Sequence, residues 1–173
     1  PEPIHIDVLL ENWASFVKRD DINPLIQAAI MHAQFEMIHP FCDGNGRMGR
    51  LLISLFLVEK KVLTKPCFYM SAYLQEHRDK YYSSLASISK KNDWKSWIEF
   101  FLEAIIERSN DNIKILQEMT ELYEDSKNRF SEVTASASAI QILDYIFAKP
   151  IFTLPDMQRD DNINLTTQAV IKI

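Results

Sequence analysis

The chain has 173 residues, a net charge of −5 and an apolar fraction of 47%, which fits one domain of about 100–150 residues and a small second unit. The acidic balance excludes an overall basic field that would gather nucleic acid. The longest uncharged apolar run, Leu51–Val58, is far too short to span a bilayer, so no membrane role is expected. Cys42 and Cys67 are the only cysteines. Their number excludes a disulfide scaffold and points to a reducing, cytoplasmic setting.

Pro1–Ile6 reads as extended because of its prolines. Asp7 is placed as the cap of a helix running to about Lys18, with Val8, Leu9, Trp13, Phe16 and Val17 at helical spacing. Asn23-Pro24 joins a cap to a proline at the first helical position. The helix it opens runs to Ile38 and is apolar nearly all round, which predicts burial. His32 on this helix is read as a core histidine with a satisfied hydrogen bond. Pro40 ends the helix and leaves His39 at its C-terminal edge.

All three glycines of the chain lie between His39 and Arg50, where average usage would scatter roughly a dozen over the full length. Gly44-Asn45-Gly46 can turn successive backbone N–H groups inward as an anion-binding nest. The helix that follows aims its positive end at the same spot. Arg47 and Arg50, three apart, can clamp oxyanions bidentately. Asp43 is a hard oxygen ligand suited to a Mg²⁺ that bridges phosphates. His39 supplies an imidazole, the side-chain type suited to act as a base. Together these residue types describe a nucleotide phosphate site with its own catalyst. Phe41 is read as a core anchor for the loop and Cys42 as packing.

Arg47 to about Lys60 forms the second buried helix, and two buried helices joined by a glycine loop predict the centre of an all-α bundle. Ser71 is placed as the cap of a helix presenting Leu74, Tyr81, Leu85 and Ile88. Asp93 is expected to cap another, with Trp94, Trp97, Ile98, Phe101, Leu102 and Ile105 as its apolar stripe. A further helix is expected from about Asn110 to Phe130. Ser131–Ser138, small and polar, is read as a boundary, giving domains over 1–130 and 131–173. In the second, helices are expected over Ala139–Ala148, from Pro155 to about Asp160, and from Leu165, with Thr153 and Asn164 as caps. Three short helices with tight turns resemble the start of a winged-helix module cut off before any wing. Its basic residues Lys149, Arg159 and Lys172 lie beside Asp156, Asp160 and Asp161, thin support for DNA contacts. DNA binding, protein docking and dimerisation all stay open for it.

The stretch His39-Pro40-Phe41-Cys42-Asp43-Gly44-Asn45-Gly46-Arg47-Met48-Gly49-Arg50 resembles the signature of the Fic family, His-Pro-Phe-x-Asp/Glu-Gly-Asn-Gly-Arg-x-x-Arg, at every specified position. The similarity continues over roughly residues 3–108, including Ala28–Glu36 upstream and Tyr69–Ser71 through Tyr81-Tyr82 downstream. The resemblance implies a Fic-type helical bundle that transfers AMP from Mg·ATP to a hydroxyl of a protein Ser, Thr or Tyr, releasing pyrophosphate. It implies His39 as general base and Asp43 as Mg²⁺ ligand. Gly44, Asn45 and Gly46 would hold the α- and β-phosphates, Arg47 and Arg50 the β/γ charge, and Tyr81 and Tyr82 the base. Some relatives transfer UMP, phosphocholine or phosphate. The intact Gly46-Arg47 favours nucleotidyl transfer, with self-modification and homodimerisation as further expectations.

In most Fic enzymes an inhibitory glutamate pairs with the arginine matched by Arg50. Its Ser/Thr-x-x-x-Glu-Gly/Asn sequence is not found here; Thr120–Asp125 comes near it but ends in Asp. The chain starts and stops mid-pattern, so that helix and the family's target-docking hairpin are expected upstream of Pro1, or the helix in a partner protein.

Overall fold

The computed structural model describes residues 5–133 and 137–160. Among them every regular element is a helix: α1 Ile6–Val17, α2 Pro24–Ile38, α3 Asn45–Glu59, α4 Ser71–Glu76, α5 Arg78–Lys91, α6 Trp94–Val133, α7 Ala137–Ala148 and α8 Leu154–Gln158. The all-α expectation therefore holds. The chain groups into two compact units, Pro1–Asp111 and Asn112–Ile173, and the division falls inside α6.

The first unit is built around α2. Asn23 starts it, its side chain accepting from the Leu25 N–H at 2.9 Å, with Pro24 at the first position. Ala28, Ala29, His32 and Ala33 have no exposed surface at all, as a helix apolar on every side requires. Two indoles fasten its backbone: Trp13 of α1 donates to the Met31 carbonyl and Trp97 of α6 to the Ala29 carbonyl, each at 2.9 Å. Gln27, fully buried, turns its amide to the last carbonyls of α1, at 2.8 Å from Phe16 O and 3.2 Å from Val17 O. Ala28, Met31, Ile53, Phe56, Trp97, Phe100 and Phe101 form the centre of the core around this helix.

Several local expectations are corrected. Asp7 is not the cap of α1. His5 holds that position without a side-chain bond, and Asp7 sits inside the first turn, where its charge favours the helix end. Helix α3 begins at Asn45, two residues early, and is only half buried: Met48, Leu51 and Leu55 are 39, 47 and 45% exposed. Apolar composition there marks one face facing α2 and one face facing outward. The predicted helix after Ser71 is two helices, and Ser71 makes no cap bond. They meet at His77, whose N–H and ring Nδ1 both lie on the Tyr73 carbonyl, at 2.9 and 3.1 Å, while its ring stacks on Tyr73.

The two helices expected over 94–105 and 110–130 are one helix of 40 residues. No glycine or proline interrupts Trp94–Val133, and polar residues alone do not break a helix. An Arg108–Asp111 pair at 2.8 Å spans the turn where the break was expected. Asp93 does cap its start, accepting from the Ser96 N–H at 3.1 Å.

In the second unit Tyr123 donates to Asp144 at 2.6 Å and meets Phe147 edge-on. Ile142, Tyr145 and Met157 form a small core. The Asp156 carboxylate reaches back to the N–H and hydroxyl of Thr153, at 2.9 and 2.6 Å, closing the start of α8. The helix expected from Leu165, with Asn164 as its cap, lies outside the described residues.

Candidate active site

The loop between α2 and α3 is built from its ends inward. His39 closes α2 in the left-handed conformation, φ 51° and ψ 58°, its N–H still bonded to the Phe35 carbonyl at 3.0 Å. A non-glycine residue held there costs roughly 1–2 kcal/mol. The reversal turns the exposed His39 side chain off the helix path. At the other end Gly44, φ 83°, is the cap of α3; only glycine takes that angle freely.

Asn45 locks the two ends together. It is 2% exposed, and its carboxamide accepts from the Phe41 N–H at 2.9 Å while donating to the Phe41 carbonyl. Both amide functions are thus taken up in closing the loop. Phe41, expected in the core, is 48% exposed, its ring centroid 6.3 Å from that of Phe35. Cys42 is exposed as well. Anchoring has passed from an apolar ring to a buried amide, because the loop lies at the surface and backbone polar groups there need partners more than a ring needs burial.

The first turn of α3 presents its N–H groups at this loop. Its first helical bond runs from Met48 N–H to the Gly44 carbonyl, 2.9 Å, so the N–H groups of Asn45, Gly46 and Arg47 stand outside the helical ladder. The Arg47 guanidinium folds back over Gly44, lying 3.5 Å from where a Cβ there would be, and pairs with Asp43 at 3.2 Å. That pair is largely solvent-exposed and holds weakly. The Arg50 guanidinium folds over Gly46 and donates from Nε to the Ser71 hydroxyl at 3.1 Å. Two cations thus flank the positive end of a helix, where cations are disfavoured; the arrangement is complementary to an anion. Asp43 accepts from the Gly44 N–H at 2.6 Å, with its other oxygen turned to Arg47. No cluster of three or more His, Cys, Asp or Glu capable of holding a metal occurs among the described residues.

Tyr81 and Tyr82 part company. Tyr81 is 5% exposed, its hydroxyl 3.1 Å from His32 Nε2, while Tyr82 is 56% exposed with Arg78 over its ring. His32 is wholly buried and stacked against Trp97, and burial holds its pKa down to about 4. Burial likewise pushes the Tyr81 hydroxyl up. Beside the motif, a groove of about 400 Å³ between α1 and α2, lined by Leu9, Asn12, Trp13, Gln34, Met37 and Ile38, ends at the residue before His39.

Two contributors were missed in the sequence. Ser71 was read only as a cap, yet it holds Arg50. Glu36 is the one formally charged residue of α2, and a lone carboxylate in an apolar helix three residues before His39 was the available signal. Its Oε1 is buried without a hydrogen-bond partner. Gly49 makes room for it: a Cβ there would lie 2.5 Å from that oxygen and 3.2 Å from the His32 ring.

Compared with solved structures, the chain resembles a Fic family protein from Desulfovibrio desulfuricans G20, TM-score 0.63 at 22% identity over 93% of this chain and 54% of that one. The fold is therefore the all-helical Fic fold, with the glycine loop at the junction of its two central helices. Residues 1–57 match the Fic/DOC family model. A probable protein adenylyltransferase of Aquifex aeolicus is 34% identical over 86 residues, 49% of this chain and 24% of that protein. A protein adenylyltransferase of Caenorhabditis elegans is 32% identical over 111 residues, 59% of this chain and 21% of that protein. The chain spans about a quarter or less of the length of these curated relatives. No helix among the described residues is long and apolar enough to cross a membrane.

Proposed function

We propose that the protein transfers an adenylyl group from Mg·ATP to a hydroxyl of a Ser, Thr or Tyr on a target protein, releasing pyrophosphate. The observation that carries this is the convergence at the amino end of α3: N–H groups outside the ladder, Arg47 on one side, Arg50 on the other, and the imidazole of His39 at the adjoining end of α2. His39 takes the proton of the incoming hydroxyl. That oxygen bonds to the α-phosphorus, the bond from the α-phosphorus to its bridging oxygen breaks, and pyrophosphate leaves. Arg47 and Arg50 neutralise the charge that gathers on it. Asn45 contributes through the loop shape it enforces, and with Gly44 and Gly46 brings backbone N–H groups to the phosphates. The exposed ring of Tyr82, backed by Tyr81, offers a face for the base.

Mg²⁺ belongs to the co-substrate. Asp43, a single carboxylate on an exposed turn, fits an ion that keeps water and phosphate oxygens as most of its ligands; the ion would supply charge neutralisation on the triphosphate. The names of the adenylyltransferase relatives support the same reading. The helices α7 and α8 are proposed as the beginning of a winged-helix-like module. The pairing of Lys149 with Asp160 at 2.7 Å lowers its free positive charge and favours protein docking over DNA.

The test is incubation of the full-length protein with a lysate of its source cells and ATP labelled at either the α- or the γ-phosphate. Label entering protein from the α-position alone supports the proposal. Label from the γ-position alone would replace it with phosphate transfer.

A further inference from the structure

We propose that Glu36 is the positioning residue for Arg50, holding its guanidinium at the amino end of α3 from beneath. The inference rests on the nucleotide-binding reading of the loop and adds a residue outside the signature to it. Glu36 stands on α2 at the crossing with α3, its Oε1 enclosed and without a hydrogen-bond partner. Buried oxygens of this kind are rare unless a function retains them. A Cβ on Gly46 would lie 3.1 Å from an Arg50 guanidinium nitrogen and 3.9 Å from Glu36 Oε1. Both side chains therefore border the space that this glycine leaves open, and they act on each other there through charge without a direct hydrogen bond. Ser71 already fixes the Nε side of the same guanidinium at 3.1 Å. A partner below would complete its orientation and leave the outer N–H groups for an anion.

The surroundings of Glu36 agree. Arg50, and after it His39, act on it electrostatically, opposing the effect of burial. His32 and Tyr81 face it from the core side, and the low basicity of His32 leaves Arg50 as its permanent positive neighbour. A carboxylate so placed, with a fixed cation on one side and neutral rings on the other, sets direction without touching the nucleotide. The motif's own carboxylate does not orient Arg50, because Asp43 is turned to Arg47 and to the Gly44 N–H.

The experiment is a double-mutant cycle on the full chain, reading Mg·ATP affinity by calorimetry and melting temperature alongside. Glu36→Gln keeps the shape and removes the charge. It is expected to weaken ATP binding about tenfold in the wild-type background and to have no further effect in Arg50→Ala, since the two act as one unit. Glu36→Asp is expected to restore part of the affinity. In steady state the loss appears in KM for ATP, with kcat for AMP transfer changing less. Unchanged affinity in Glu36→Gln, or losses that multiply in the double variant, overturns the positioning role while leaving the transferase reading intact. A wild-type protein that binds no ATP overturns both. A fall in melting temperature without loss of affinity marks Glu36 as merely structural and also overturns the inference.

Discussion

The Nε2 of His32 lies 3.1 Å from the hydroxyl of Tyr81, inside an aromatic shell that includes Trp97 and Phe101. That pair ties α2 to α5, and it carries a pH signature. The folded-state pKa of His32 is about 4, below the ordinary histidine value of 6.5, because burial disfavours the imidazolium. Between these values the unfolded chain binds a proton that the folded chain does not, so stability falls as pH drops from about 6.5 to about 4. The full effect is on the order of 3 kcal/mol. Glu36, raised by burial, acts in the opposite sense, its contribution to stability lost as pH rises. The difference between wild type and His32→Gln isolates the histidine. Urea unfolding at about pH 7 and about pH 5 should show a marked loss for wild type and a flatter dependence for the variant.

Gly49 and Gly46 predict contrasting outcomes for the same substitution. An alanine at Gly49 would put its Cβ 2.5 Å from Glu36 Oε1 and 3.2 Å from the His32 ring, and the enclosed carboxylate would have to shift against a wholly buried ring. Gly49→Ala should cost about 1–3 kcal/mol of stability, measured by chemical denaturation. At Gly46 the obstruction is the end of the Arg50 side chain, 3.1 Å away, which can swing aside. Gly46→Ala should therefore leave the melting temperature nearly unchanged and weaken ATP binding.

Asn45→Ala removes both bonds that close the loop onto Phe41 and leaves two backbone groups without their partner. A loss of about 1–3 kcal/mol is expected, with transfer activity abolished although His39 is intact. Retained activity in a protein that melts normally would show that the loop holds its shape by other means.

His39 combines a chemical role with a strained backbone, and two substitutions separate them. His39→Ala and His39→Gly should both abolish AMP transfer while ATP still binds. The glycine variant should be more stable than the alanine variant by about 1 kcal/mol, because φ 51° penalises a Cβ. Equal melting temperatures would contradict the strain.

The all-helical class, the Asn23-Pro24 start of α2 and the loop that joins it to α3 were legible because each has a local cause: a cap, a proline, a cluster of glycines. Locations that depend on what lies across the chain were not. The burial expected of Phe41 falls to Asn45 instead, since which one is buried depends on how closely α2 and α3 cross. Helix α6 runs through its polar middle because nothing there prohibits helix, and no periodicity count detects the lack of a stop. Tyr81 and Tyr82 are adjacent in sequence, yet only the core decides which ring turns inward.

The indole bonds of Trp13 and Trp97 to the backbone of α2 give the protein an intrinsic optical reporter. Two of its three tryptophans are fastened to the helix that delivers His39. Their emission wavelength and quenching therefore track the integrity of that helix, and a displacement there can be followed by fluorescence with no label attached.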